Sequence, residues 1–225
     1  MRTVFQAELK QVGDELVAIA RLVREALSEA RSAFLDADLE TAQEVISNDA
    51  RIDHLQDELD ERSIDILARQ SPVASDLRML VSALRMSTSL ERMGDLARHL
   101  AQDARRRFPE PVLPEALVED FAQLFELDLG ILDGVIEMLE TRDISIFDEI
   151  HQRKAQVNAL HRGIFDAMAA PEWTAPVHTT VDVTLSSRYL ERIGDHGVSV
   201  ARKVTYLVTG EWTPQPADRG DGTAR

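Results

Sequence analysis

The chain of 225 residues contains no cysteine. That excludes disulfide staples, thiolate metal sites and cysteine nucleophiles, and it fits an intracellular setting. Glycine and proline are few, 10 and 8 residues, and they gather between long periodic segments. Aromatic residues make up only 5% of the chain against 44% hydrophobic, a balance that suits Leu, Ile, Val and Ala packing between helices. Positive charge is in deficit as well. With 25 Lys and Arg against 40 Asp and Glu, the net charge is −15. Such a surface argues against nucleic acid or an anionic membrane as partner and is compatible with cations or a basic protein. No run of eighteen apolar residues occurs, and no apolar leader follows Met1-Arg2-Thr3-Val4-Phe5. The expectation is a soluble, cytoplasmic protein with no direct membrane insertion.

Helical periodicity fills the rest of the chain. Phe5, Leu9, Val12, Leu16, Ile19 and Val23 alternate spacings of four and three, a heptad-like seam that predicts a first helix from about Val4 to Leu35. Asp36-Ala37-Asp38 breaks it, with Asp38 as N-cap of a second helix running to about Gln70. Ser71-Pro72 has the form of a cap and first residue for a third helix, to about Arg107. Three prolines, Pro109, Pro111 and Pro114, then form a stiff boundary. Three more helices are predicted, over residues 115–140, 144–170 and from Pro176 to about Val208, with Gly210 as the C-terminal glycine. The two halves align: Asp38-Leu39 with Asp143-Ile144, and Ile52-Asp53-His54-Leu55 with Val157-Asn158-Ala159-Leu160. The expected fold is all-α, two tandem pseudo-symmetric three-helix bundles over 1–108 and 115–210, followed by a disordered tail, 211–225.

One phrase recurs in both halves. Leu90-Glu91-Arg92-Met93-Gly94-Asp95 returns as Leu190-Glu191-Arg192-Ile193-Gly194-Asp195. Carboxylates four apart on a helix share a face and repel, and an interior glycine costs about 1 kcal/mol against alanine. Two local costs repeated in the same words suggest a site. The second helix adds Asp49 and Asp53, also four apart. Asp53 lies 18 residues before Ser71 and Glu91 lies 20 after it. At ~1.5 Å per residue the two pairs differ in level by only ~3 Å in an antiparallel hairpin. Four carboxylates at one height need cations, and an all-oxygen cluster suits hard or borderline metal ions. The alternative is a solvated face, with Arg92 and Arg98 pairing to the acids. In the second half the counterparts of Asp49 and Asp53 are Lys154 and Asn158. Glu191 and Asp195 therefore lack acidic partners, and the lysine ammonium can stand where a cation would.

Catalytic signatures are missing. Glu91 and Glu191 have glycine three residues on, where di-iron bundles have histidine, and Asp148-x-x-His151 occurs once. Phosphate-binding loops, G-x-S-x-G and H-E-x-x-H do not occur. His54, His99, His161 and His178 read as surface or core residues.

The paired Glu-Arg-x-Gly-Asp stretches, Asp49-x-x-Ile52-Asp53, and Gln70-Ser71-Pro72-Val73-Ala74-Ser75-Asp76-Leu77-Arg78 together resemble the PhoU family of phosphate-signalling regulators, over about residues 5–210. The resemblance implies a cytoplasmic homodimer without enzymatic activity. It implies a negative regulator linking the ATPase subunit of a phosphate ABC importer to a membrane sensor histidine kinase. It also implies that Asp49, Asp53, Glu91, Asp95, Glu191 and Asp195 are metal ligands, for divalent or trivalent ions such as iron, zinc, manganese or magnesium. Asp76 and Arg78 are candidate partner contacts, or else they pair and cap the helix start. The competing expectation is a helical scaffold in which metal is incidental.

Overall fold

The structure, a computed structural model, describes residues 2–212. Six long helices follow one another: α1 (Arg2–Asp36), α2 (Leu39–Gln70), α3 (Ser75–Arg107), α4 (Val118–Thr141), α5 (Phe147–Ala169) and α6 (Val177–Thr209). Short 3-10 turns at Glu115–Leu117 and Ile144–Ile146 lead into α4 and α5. Helices α1, α2 and α3 pack together as one bundle and α4, α5 and α6 as another. The first two residues of the expected tail are described, outside any helix, and 213–225 lie beyond the described residues.

Local chemistry explains the breaks. The Asp38 carboxylate accepts from the Glu40 and Thr41 amides, 3.0 and 3.2 Å, and so caps α2. Asp143 repeats the device on the Ser145 amide at 2.9 Å. Gly210, at φ 76°, closes α6 with its amide on the Tyr206 carbonyl, 2.9 Å. The α2–α3 turn differs from expectation. Ser71 does not cap α3; it ends α2 in the left-handed conformation, φ 43° and ψ 56°, and α3 begins four residues later behind Ala74. Pro72 has no N–H to donate to α2 and stops it, so the serine serves the helix before it rather than the one after.

The bundles meet along two seams, α1 against α4 and α3 against α6, and a single continuous core runs through both. Phe34 sits between Phe121 and Phe125, with ring centroids 5.8 Å away in each case. The proline-rich segment is not a free linker, because Val112 and Leu113 are buried in that core. On the other seam Asp182, almost wholly buried, accepts from Arg106 Nη2 at 2.7 Å and from Arg107 Nε at 2.5 Å. Helix α3 thus packs against α1, α2 and α6, with Leu77, Val81, Arg85, Thr88 and Arg92 left exposed along one stripe, and it carries the first repeated motif into the middle of the molecule.

Candidate functional site

In the first bundle the α2–α3 hairpin sets the two acid pairs side by side. Gly94 is what permits the approach: a Cβ there would stand 3.0 Å from Ile52 Cδ1 and 3.8 Å from Asp49 Oδ1. Asp49 is buried and faces Asp95, while Glu91 faces Asp53 and Asp95. Arginines thread between them. Arg98 bridges the helices, with Nε 2.5 Å from Asp49 Oδ2 and Nη2 2.6 Å from Asp95 Oδ1. Arg92 Nη1 lies 2.9 Å from Asp95 Oδ2, and its Nε lies 3.4 Å from Glu91 Oε2.

The titration behaviour follows from this crowding. Burial, then the Asp95 charge, pushes Glu91 up to about 7. Burial also raises Asp49, against the pull of Arg98. Asp95 is lowered: burial acts to raise it, but the hydrogen bond and charge of Arg98, with Arg92, outweigh that. One carboxylate is therefore well compensated and another is not.

The second bundle solves the same problem from within. Lys154 Nζ lies 2.9 Å from Asp195 Oδ1 and 3.4 Å from Glu191 Oε1, and it donates to the Glu191 carbonyl at 2.7 Å. Arg188 pairs with the other Glu191 oxygen. Beneath them lies Asp128, which belongs to neither repeated motif. Asp128 is fully buried, and neither carboxylate oxygen has a hydrogen-bond partner. Burial holds it well above the usual carboxylate range, with Glu191 and Asp195 adding to the rise and Lys154 opposing it. Asp128 occupies the seam position between Leu124 and Ile131, and an acid in that apolar series was the signal available in the chain. At the spacing that relates the halves, Val23 is its counterpart and Asp49 is the counterpart of Lys154. A lysine on α5 is thus accompanied by an acid on α4. Gly194 makes room for both, since a Cβ there would stand 2.9 Å from Lys154 Cδ and 3.1 Å from Asp128 Oδ1.

The six acids separate into two settings. Asp49, Asp53, Glu91 and Asp95 converge; Glu191 and Asp195 are brought to a lysine instead. Among the described residues no three His, Asp or Glu side chains form a ready cage for a metal ion. The first cluster offers only carboxylate oxygens, the donors a hard cation takes, but Arg92 and Arg98 stand between Asp49, Glu91 and Asp95. In the second cluster the residues do not fit a cation while Lys154 holds its place.

Asp76 lies half-buried in the first turn of α3, and no ion pair joins it to Arg78 among the described residues. Arg78 instead lies over the Tyr206 ring, 5.0 Å from its centroid, so it braces α3 against the end of α6. No helix among the described residues is long and apolar enough to cross a membrane.

Comparison with known proteins agrees with this arrangement. The PhoU domain model matches twice, over residues 9–104 and 121–204. The phosphate-specific transport system accessory protein PhoU homolog 1 of Mycobacterium leprae is 37% identical over 212 residues, covering 94% of this chain and 96% of that protein. PhoU homolog 2 of Mycobacterium tuberculosis is also 37% identical, over 93% of this chain and 99% of its own length. The crystal structure of PhoU from Pseudomonas aeruginosa superposes with a TM-score of 0.83 at 30% identity, covering 92% of this chain and 100% of that one. With two domain matches, relatives alike from end to end and one shared six-helix architecture, this chain belongs to the PhoU family.

Proposed function

We propose that this protein regulates phosphate transport as a non-catalytic accessory protein. In this reading it is a cytoplasmic homodimer and a negative regulator of phosphate uptake and starvation signalling. It acts as an adaptor between the ATPase subunit of a phosphate ABC importer and a sensor histidine kinase. The observation that carries this is the likeness, over 94% of the chain, to a protein named for the phosphate-specific transport system. Support comes also from the double repeat, which offers two similar helical faces on one rigid core.

In the metal-binding form of this reading, Asp49, Asp53, Glu91 and Asp95 hold a divalent cation, which supplies positive charge to a crowded carboxylate cluster. Arg98 already does part of that work by tying α2 to α3 through Asp49 and Asp95. Glu91 binds or releases a proton near neutrality, so it is the carboxylate that responds first to a change of counter-charge. The second bundle keeps its helices fixed through Lys154 and needs no ion.

The arginine clasps also favour a second reading, in which the first bundle is held together without metal and the protein is a plain scaffold. Binding of the purified protein to the importer's ATPase subunit, and to the cytoplasmic part of the kinase, tests both. The adaptor reading expects both partners to bind, and failure with both overturns it. Loss of binding in the Asp49→Ala, Glu91→Ala double variant supports the metal form, and unchanged binding supports the scaffold.

A further inference from the structure

Helices α3 and α6 run antiparallel, with Arg106 beside Asp182 at one end of the seam and Arg78 over Tyr206 at the other. At the second end the seam opens into a groove of about 530 Å³. A further lobe of about 450 Å³ continues it, and the two share Arg85, Lys203 and Trp212. Four cations line this groove: Arg78 and Arg85 from α3, Arg202 and Lys203 from α6. The chain carries 15 surplus negative charges, yet among the described residues none of the four has a carboxylate within 4.0 Å.

Two of these cations, Lys203 and Arg202, are set into the seam, and Arg85 stands exposed at its edge. Lys203 is 9% exposed, and its ammonium donates to the Ser199 carbonyl at 3.1 Å and hydroxyl at 2.6 Å. Burial, then Arg85 and Arg202, lowers its pKa to about 8. Arg202 Nε is buried without any hydrogen-bond partner. Like charges held this way repel one another, and an anion in the groove would relieve the repulsion and give the orphaned donor an acceptor. Guanidinium forks match phosphate oxygens in geometry as well as charge. The mouth adds a flat surface: Trp212, half exposed, meets Tyr206 edge to face at 5.3 Å, and Leu77 lies alongside. The size is that of small-molecule sites, roughly 300–1,000 Å³.

We propose that this seam binds a phosphorylated small molecule of the nucleotide class, with its phosphates on Arg85, Arg202 and Lys203 and its ring against Trp212. The site uses neither acidic motif and does not rest on the adaptor reading. Calorimetric titration of the full chain with ATP, pyrophosphate and inorganic phosphate tests it, alongside Arg85→Gln, Arg202→Gln, Trp212→Ala and the exposed control Arg105→Gln. The expected result is ATP binding that weakens about tenfold or more in each groove arginine variant, the loss typical of one charge-assisted hydrogen bond. ATP affinity should fall in Trp212→Ala towards that of pyrophosphate, and Arg105→Gln should leave it unchanged. Circular dichroism melting should show all the groove variants folded and, without ligand, Arg85→Gln and Arg202→Gln no less stable than the parent, because a like charge has been removed. ATP that fails to bind at roughly millimolar concentration overturns the proposal. So does binding that is indifferent to Arg85 and Arg202, or lost equally in Arg105→Gln. Pyrophosphate binding as tightly as ATP overturns the nucleotide assignment.

Discussion

Glu91 and Arg98 define the first cluster at the residue scale. The Glu91 carboxyl titrates at about 7 in the fold, against 4.5 for an unperturbed group. Between those values the folded state keeps a proton that the unfolded chain has released, so stability falls as pH rises through this window. Glu91→Gln removes the decline. The variant should melt with the parent near pH 4.5 and progressively above it up to pH 7, by a few degrees, in thermal scans across that range. Arg98→Ala should do the opposite at neutral pH, because it strands the buried Asp49. A loss of about 2–4 kcal/mol in chemical denaturation is expected without metal, partly recovered by an added divalent cation. Full stability of the variant would deny Arg98 its bridging role. The acid pairs were legible in the chain because both repulsion and repetition are visible there. The arginine bridge was legible only as an alternative, since Arg98 lies three positions beyond the end of the repeated motif. Asp128 was not read at all, because a single acid in an apolar seam repeats nowhere; only its burial beside Lys154 gives it meaning.

At the scale of elements, glycine decides how closely helices approach. Gly197 lies where α6 packs closely on α4: a Cβ there would fall 2.3 Å from Ile131 Cγ2. Gly163, on the exposed side of α5, would meet nothing within 4 Å. Gly197→Ala should therefore destabilise by about 1–3 kcal/mol through overpacking. Gly163→Ala should stabilise by roughly 0.5–1 kcal/mol through helix propensity alone. Equal shifts in the two variants, measured by denaturant unfolding, would contradict this account of the glycines. The same reasoning revises what the repeated glycine means: in both Glu-Arg-x-Gly-Asp copies it admits the neighbouring helix, whether or not an ion is held. Helix number and order were readable from periodicity and breakers, as the Asp38 and Asp143 caps illustrate. The α3 start was not, because Ser71-Pro72 suits a beginning and an ending equally well, and the choice depends on how α2 must close.

At the scale of the whole molecule, two repeats have become one body. Phe34 of α1 fills the space between Phe121 and Phe125 of α4, and the Arg106–Asp182–Arg107 group ties the far seam. Unfolding should be a single calorimetric transition. Phe34→Ala should lower it as one, by about 3–5 kcal/mol or several degrees. Two separated transitions in the parent protein would show the bundles to be independent. The sharing of a core was hidden in the sequence, where three prolines read as a boundary; Val112 and Leu113 turn that boundary into packing. The pseudo-symmetry that made the fold readable is broken where charge matters, with carboxylates and arginines in the first bundle and Lys154 over Asp128 in the second. That asymmetry makes the central claim testable. Chelator-treated protein should be titrated with manganese or zinc in a calorimeter, beside Asp49→Ala with Glu91→Ala and beside Glu191→Ala with Asp195→Ala. The account predicts binding with proton release near pH 6 that disappears in the first double variant and persists in the second. Binding that survives loss of Asp49 and Glu91, or that depends on Glu191 and Asp195 instead, would contradict it.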